Sequence, residues 1–231
     1  MSTLSAQSMQ ATRCGHSFLI LLLRQQFPRG SIRALLALAY PKESRTMPTI
    51  LTHAAVPLAI GLGLGTRIVP PRLLAAGVIA SMLPDLDVLA FRFQIAYEEQ
   101  FGHRGASHSL AFALLLACCA LLFARRLQAG KGAAFLFVGI SAASHGLLDT
   151  LTNGGLGVAL WWPFSDARYF APWQVIEVSP LSLQRILSGR GIEVLYSELR
   201  WVWLPALLVC GVLMLVRRRY FLAQGIGSGR T

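Results

Sequence analysis

Histidines and aspartates recur in this chain inside or at the ends of strongly apolar segments, where ionisable side chains are rare. Ionisable groups in membrane segments are energetically costly, so they usually face a protein interior or a wet cavity and serve a function. Imidazole and carboxylate groups are also the donors that Zn²⁺ and related divalent metals prefer. The candidate metal ligands are His53, Asp85, His108, His145 and Asp149.

His145 and Asp149 are four residues apart, a spacing that puts both side chains on one helix face, with Cβ atoms about 6 Å apart. The carboxylate could bind the same ion as the imidazole, or it could orient the imidazole through a hydrogen bond. A hydrogen bond that only stabilises a helical bundle explains the pair equally well. The pair by itself leaves these readings open.

Two further carboxylates, Asp85 and Asp87, follow Pro84 within an apolar segment. Proline interrupts helical hydrogen bonding and lets the chain turn. Two neighbouring carboxylates repel each other unless a cation or a proton lies between them. Asp85 is therefore expected to be a ligand, and Asp87 a ligand or a general base. Solvated acids at an interfacial helix end are the alternative.

Two histidines and an arginine surround a glycine in the sequence His-Arg-Gly-Ala-Ser-His-Ser. Ser107 is predicted to cap the following helix, which would place His108 in its first turn. Arg104 could bind a phosphate or carboxylate there, since guanidinium groups pair with both. His103 is a further candidate, against the alternative of an ordinary loop histidine. Arg168, beyond a Trp-Trp-Pro-Phe segment, is a second candidate for contacting an anion.

The composition of the chain is that of a membrane protein. Of 231 residues, 55% are hydrophobic and only 13% are charged, whereas soluble domains have about 25% charged residues. The formal charge of +11 does not indicate a nucleic-acid partner, because the basic residues are spread over short connections between apolar segments. The cysteines show neither zinc-type spacing nor a disulfide framework.

Apolar segments predict an all-α, multi-span transmembrane bundle of about four to five spans. They lie at about residues 50–65, 73–91, 107–124, 133–151 and 201–216. The first and last are short for a hydrocarbon core of about 30 Å, so their ends are expected to be interfacial or tilted. Residues 1–46 lack this organisation and are interpreted as a targeting segment or as upstream sequence from a wrong start. Residues 47–231 form the predicted membrane domain.

Basic residues in the connections predict the topology. They follow the first, third and last segments: Arg67, Arg72, Arg125, Arg126, Lys131, Arg217, Arg218 and Arg219. The positive-inside rule places these connections in the cytoplasm. The candidate ligands then lie at the outer ends of four spans, which predicts a polar metal site at the external membrane face.

Taken in order, these motifs resemble a known family. Thr-His, Pro-Asp-Leu-Asp, His-Arg-Gly-x-Ser-His-Ser, Ser-His-x-Leu-Leu-Asp-x-x-Thr-x-Gly-Gly and Trp-Pro-Phe-Ser are similar to the pattern of bacterial YdjM-like inner-membrane proteins. Those proteins are described as membrane-bound metal-dependent hydrolases. The resemblance runs from Met47 to about Arg168 and continues loosely to the last span. It implies a multi-pass protein of the bacterial inner membrane, where the external face predicted from the basic connections is the periplasmic face.

That family is distantly similar to the zinc-dependent phospholipase C and P1-type nuclease group. There, histidines, aspartates and a His-x-x-x-Asp or His-x-x-x-Glu helix pair hold a zinc cluster. His145 and Asp149 match the helix pair, while His53, Asp85 and His108 match single ligands in chain order. This chain has one such pair where the nuclease pattern has two, so the resemblance implies one or two ions, with Zn²⁺ expected.

Two functions are consistent with these residues. The first is a metal-dependent hydrolase that cleaves a phosphoester bond of a membrane lipid or lipid-linked substrate with a metal-activated water, and with Asp87 and Arg104 as catalytic residues. The second is a non-enzymatic membrane protein whose cluster carries protons or a metal ion, or only stabilises the bundle. The gathering of polar residues at one face favours the first, because a transport path would thread them through the bilayer.

Overall fold

The apolar segments fold as helices in the computed structural model, which describes residues 46–47, 50–180 and 189–227. In chain order they are α1 (Ala55–Leu64), α2 (Pro71–Met82), α3 (Leu110–Leu122), α4 (Lys131–Thr150), α5 (Gly189–Glu198) and α6 (Leu204–Gly227). Short 3-10 helices, Ile50–Ala54 and Ala106–His108, precede α1 and α3, and a longer one, Leu83–Phe93, continues α2. A π-helical segment, Leu199–Trp203, joins α5 to α6.

The all-α prediction is confirmed, apart from one minimal pair of antiparallel strands, β1 (Thr46–Met47) and β2 (Ser179–Pro180). The described residues, from Thr46 onward, belong to one compact unit. The predicted N-terminal extension, residues 1–46, lies outside the described residues except for Thr46.

Three helical stretches of the described chain are long and apolar enough to cross a membrane: Pro71–Phe93, Lys131–Thr150 and Gly191–Leu222. Ile50–Leu64 and Leu110–Leu122 are apolar but shorter. At 1.5 Å per residue these two fall short of a hydrocarbon core of about 30 Å. The expectation that the last segment is short was wrong, because the amphipathic helix α5 continues directly into it. Because α5 contains polar residues, the hydropathy of the sequence does not indicate that the last apolar helix begins before residue 201.

Alanines and glycines allow α2, α3 and α4 to pack closely. Their shared core includes Ala80, Ala113 and Ala134. A Cβ atom on Gly77 would lie 2.3 Å from a ring atom of Phe137, so a larger residue would push α2 and α4 apart. Small residues that let helix backbones approach are the usual basis of helix association in membranes.

The three basic connections meet at one end of the bundle. The Arg72 guanidinium donates a hydrogen bond to the backbone oxygen of Arg126 over 3.4 Å, and the Arg217 guanidinium lies against Gly65. Helices α1, α2 and α4 each have a basic connection at one end and candidate ligands at or just beyond the other. The bundle therefore has a basic end and, opposite to it, a histidine- and aspartate-rich end.

The connection that follows α4 folds back over the histidine- and aspartate-rich end. Thr152 forms a bridge with Ile176, and the backbone N–H of Ala159 donates to the carbonyl oxygen of Arg104 over 3.0 Å. Thr152 and Ile176 are both buried. The connection thus covers the side chains that the helix ends bring together.

Candidate metal centre

Four separate elements bring the five candidate ligands together. His53 comes from the 3-10 helix before α1, Asp85 from the 3-10 helix after α2, and His108 from the 3-10 helix before α3. His145 and Asp149 lie one turn apart on α4. All five residues are buried, with exposed fractions between 0% and 5%. The cluster therefore combines the closely spaced pair His145 and Asp149 with residues from distant parts of the chain.

Four of these residues, His53, Asp85, His145 and Asp149, offer ligand atoms that all lie within 4.8 Å of one another, a separation suited to one metal ion. The Nε2 atom of His145 is 2.9 Å from the Nε2 atom of His108 and 3.5 Å from Oδ1 of Asp85. His53 Nε2 lies 3.6 Å from Oδ1 of Asp149 and 3.8 Å from Oδ2 of Asp85. Nitrogen and oxygen ligands about 2.0–2.2 Å from one zinc ion are themselves about 3–4 Å apart. The cluster has this spacing.

Hydrogen bonds on the far side of two histidine rings fix where their protons lie. His145 Nδ1 is 2.7 Å from the backbone oxygen of Ser81, and His108 Nδ1 is 3.1 Å from both the Ser107 hydroxyl and Oδ2 of Asp87. A carbonyl and an ionised carboxylate can only accept, so we assign the proton of each neutral ring to Nδ1. Both Nε2 atoms then present lone pairs, and these face each other at 2.9 Å. A cation or an additional proton is needed between them.

Buried ligand atoms without hydrogen-bond partners point to the same need. Among the described residues, neither ring nitrogen of His53 and neither carboxylate oxygen of Asp149 has a hydrogen-bond partner. Buried polar atoms in folded proteins are nearly always partnered, because desolvation without compensation is costly. A bound cation would satisfy His53 Nε2 and the Asp149 carboxylate, and the His53 ring is already held by stacking on His145 at 3.7 Å between centroids.

The charge of the cluster matches a divalent cation. Asp85, Asp87 and Asp149 contribute three negative charges. The guanidinium of Arg104 contributes one positive charge, with its Nε atom 3.1 Å from Oδ2 of Asp149. With neutral histidines, two negative charges remain uncompensated in a buried region. One divalent ion would balance them.

The Asp87 carboxylate accepts several of the hydrogen bonds that surround the candidate ligands. Its Oδ1 accepts from His103 Nδ1 over 2.6 Å, and its Oδ2 accepts from the Ser107 hydroxyl over 2.6 Å and the Arg104 backbone N–H over 3.1 Å. Oδ2 also lies 3.1 Å from His108 Nδ1. Metal-binding histidines usually donate their second ring N–H to such a carboxylate, which fixes ring orientation. The structure therefore places Asp87 behind His108.

The predicted role of Ser107 as a helix cap was wrong. The hydroxyl of Ser109 caps α3 by accepting from the backbone N–H of Phe112 over 3.1 Å. Ser107 instead donates to Asp87. Because α3 begins at Leu110, His108 lies just before the helix and not in its first turn.

Arg104 reaches the cluster from a strained backbone position. Its φ angle is +60°, in the left-handed region that few residues other than glycine adopt readily. The fully buried guanidinium donates from Nη1 to the Thr152 hydroxyl over 2.9 Å and to the Gly154 carbonyl over 2.7 Å. The Nη2 atom has no hydrogen-bond partner among the described residues. One face of the guanidinium thus keeps an unused donor beside Asp149.

Arg168 contacts the loop that carries His103 and Arg104. Its guanidinium donates to the backbone oxygens of His103 and Tyr97, each over 2.9 Å, with longer bonds to Glu99 and Gly157. Burial lowers the pKa of Arg168. These bonds tie the connection after α4 to the loop before α3, so the side chain braces the site and its donors are engaged by carbonyls.

His103 and Tyr97 are buried next to each other beside the candidate ligands. The Nε2 atom of the buried His103 ring has no hydrogen-bond partner among the described residues, and the ring meets Tyr97 edge-on at 5.2 Å. Burial raises the pKa of Tyr97. His103, Asp85 and His108 also offer ligand atoms that lie within 4.8 Å of one another. The geometry would accommodate a second ion beside the first.

Sequence reasoning did not single out two contacts of the site. The backbone oxygen of Ser81 orients His145, but a carbonyl leaves no signal in residue type. Thr152 binds Arg104 through its hydroxyl, and its position three residues after Asp149, before two glycines, was the available signal.

Comparison with known proteins places this chain among inner-membrane proteins. Residues 47–222 match the family described as YdjM inner membrane protein. Inner membrane protein YbcI of Escherichia coli (strain K12) is 54% identical over 173 residues, which cover 74% of this chain and 100% of that protein. No solved structure matches the chain. These relatives and the apolar helices support an inner-membrane location, and the chain belongs to the YdjM family of inner membrane proteins.

Proposed function

We propose that this protein is a membrane-bound metal-dependent hydrolase that cleaves a phosphoester bond of a lipid or lipid-linked substrate. The observation that carries the metal is the approach of the Nε2 atoms of His108 and His145 to 2.9 Å beside two buried carboxylates. The hydrolytic reaction rests on the likeness of this ligand set, including the His-x-x-x-Asp helix pair, to that of zinc phosphoesterases.

Five residues would hold the ion: His53, Asp85, His108, His145 and Asp149. Asp85 is the central ligand, because its carboxylate oxygens lie within 3.8 Å of the Nε2 atoms of all three histidines. Asp85 and His108 also form a candidate ligand group with His103, and His108 would serve only one of the two groups because its Nδ1 atom carries the proton. The donor set of imidazoles and carboxylates suits Zn²⁺.

Two other side chains would support the reaction without binding the ion. When bound, a divalent ion lowers the pKa of water to about 7 and polarises a substrate oxygen. Asp87 holds the His108 ring with its lone pair toward the ion and stabilises the proton on Nδ1. Arg104 offers the free Nη2 donor to a phosphate oxygen, a charge-assisted hydrogen bond. Its contact with Asp149 keeps that donor next to the ligands.

A substrate would reach this site only after the connection that follows α4 moves. The ligand residues are at most 5% exposed, and Thr152 and Ile176 of the connection are buried above them. An active-site segment that closes over its substrate excludes water from the reacting groups. The hydrolase proposal therefore requires an open form of this connection.

The same burial favours a second candidate function. An ion enclosed by five buried ligands suits a protein that carries a metal ion or uses it only to hold its helices together. Such a protein would bind zinc with the same residues and would hydrolyse nothing. The two functions share the metal centre and differ in whether a substrate can enter it.

The test compares metal content with activity in the full-length protein purified in detergent. We expect bound zinc and hydrolysis of at least one member of a phosphodiesterase and phospholipase panel, with both lost in Asp85→Ala and His145→Ala. Asp166→Asn is the matched control, because Asp166 is exposed, belongs to the same connection and accepts a hydrogen bond from Gln100 over 3.0 Å. Zinc-free protein whose cluster variants behave like wild type contradicts the proposal. Zinc uptake into proteoliposomes without hydrolysis selects the second function.

A further inference from the structure

We propose that the basic end of the bundle binds the phosphate group of an anionic membrane lipid, in a cavity between the α1–α2 turn and α6. This cavity lies at the opposite end of α1 from the metal centre and does not depend on it. Its volume is about 230 Å³, and its walls are Leu64, Gly65, Thr66 and Arg67 on one side and Arg217 and Phe221 on the other.

Arg217 is built into one wall of this cavity. Gly65 has a φ angle of +79°, and a Cβ atom there would lie 1.6 Å from Nη1 of Arg217. Glycine is needed at this position for its positive φ angle, and the end of the Arg217 side chain packs directly against the Gly65 backbone. This contact places a cationic side chain of α6 beside the end of α1.

Arg67 supplies a second guanidinium from the turn itself. It lies over the ring of Phe221 at 5.0 Å from the centroid, a cation–π contact that restrains an otherwise exposed side chain. The cavity thus contains two arginines that belong to different elements and are each held by a specific contact. Guanidinium groups bind phosphate through paired hydrogen bonds, so two of them suit a phosphate diester.

No carboxylate competes for these arginines within their own segments. The described basic segments 65–72, 123–131 and 217–227 contain no aspartate or glutamate. Basic residues at the cytoplasmic ends of membrane helices also set topology, and that role alone would need no cavity. Basic pockets between membrane helices are, in contrast, typical binding sites for acidic lipid headgroups.

The size and surroundings of the cavity favour a headgroup over a whole small molecule. Pockets for drug-sized ligands measure about 300–1,000 Å³, so this cavity holds little more than a headgroup. The neighbouring surface of α6 exposes Leu215, Val216 and Leu222. Acyl chains attached to the phosphate could lie along these apolar side chains.

Lipid titrations of the full-length protein in detergent test the proposal. Phosphatidylglycerol, phosphatidylcholine and inorganic phosphate are added separately, and binding is followed by the rise in thermal unfolding midpoint and by native mass spectrometry. We expect phosphatidylglycerol to bind and stabilise, and the other two to have little effect at equal concentration. Arg217→Gln should weaken phosphatidylglycerol binding at least about tenfold, since it removes a hydrogen bond between charged groups.

Arg219→Gln is the matched control, with the same charge change on the same helix but outside the cavity. It should change the affinity less than about threefold, the effect of one distant charge. Equal losses in Arg217→Gln and Arg219→Gln, or equal stabilisation by phosphatidylcholine, overturn the proposal. Equal stabilisation by inorganic phosphate overturns the lipid assignment. If Arg217→Gln does not fold, Arg67→Gln at the exposed rim carries the same test with the same outcomes.

Discussion

Replacing Asp87 tests whether the hydrogen bonds behind the ligands prepare the metal centre. Asp87 does not need to touch the ion to matter, because its Oδ2 atom lies 3.1 Å from His108 Nδ1 and sets which nitrogen of that ring carries the proton. If the proton moves to Nε2, His108 loses the lone pair that would bind the metal. The metal affinity should therefore depend on residue 87 even though no ligand is removed.

The size of the effect follows from counting acceptors. An asparagine at position 87 keeps one oxygen, which can still serve the three donors now on Oδ2: His108, Ser107 and the backbone of Arg104. Its amide nitrogen would then face His103, whose ring can change tautomer. Asp87→Asn should thus weaken zinc binding only about tenfold, whereas Asp87→Ala frees the His108 ring and should weaken it about 100-fold.

Zinc affinity can be measured by competition with a chromophoric chelator on purified protein, with circular dichroism to verify that each variant is helical. Asp166→Asn provides the background, since it changes the charge of an exposed aspartate outside the cluster. Wild-type affinity in Asp87→Ala would refute the orienting role. A larger loss in Asp87→Asn than in Asp87→Ala would refute the acceptor argument, because it would mean that the retained oxygen does not help.

Three further predictions address the centre, the basic end and the topology. Removing zinc with a chelator should lower the thermal unfolding midpoint of the wild type but leave His145→Ala unchanged, because the ion stabilises only a protein that binds it; equal shifts would place the effect elsewhere. Gly65→Ala should destabilise the protein by more than about 1 kcal/mol, because alanine is strained at the φ angle of +79°, while Gly132→Ala, where a Cβ meets nothing within 4 Å, should be neutral or stabilising by chemical denaturation. A reporter fused after Lys131 should read cytoplasmic and one near Gly155 external; the reverse readings would put the metal centre on the cytoplasmic face.

The candidate ligands could be found from sequence because each is an ionisable residue in an apolar segment. Two pieces of information, helical spacing for His145 and Asp149 and alternating basic connections for the rest, were enough to place them at one end of a bundle. Neither depends on side-chain geometry. The structure supplies what these patterns lack, namely that all five ligand residues are buried under the connection that follows α4.

Other features could not be predicted because they depend on three-dimensional contacts. Both Ser107 and Ser109 suit a helix cap, and only the position of Asp87, which captures the Ser107 hydroxyl, decides between them. The orientation of His145 relies on a backbone oxygen of α2, which any residue would provide. The long last helix was missed because the amphipathic α5 has too little mean hydropathy to read as part of a membrane span.

The dispersal of the candidate ligands along the chain would tie the formation of a metal centre to the biogenesis of the protein. His53 is near the start of α1 and Asp149 near the end of α4, so a chain inserted only through α3 lacks two of the five ligands. The unpaired carboxylate and imidazoles of such an intermediate would remain in the apolar bundle without compensation. Metal loading would then be a late step of assembly, and a loaded centre would mark a chain whose first four helices have reached their final places.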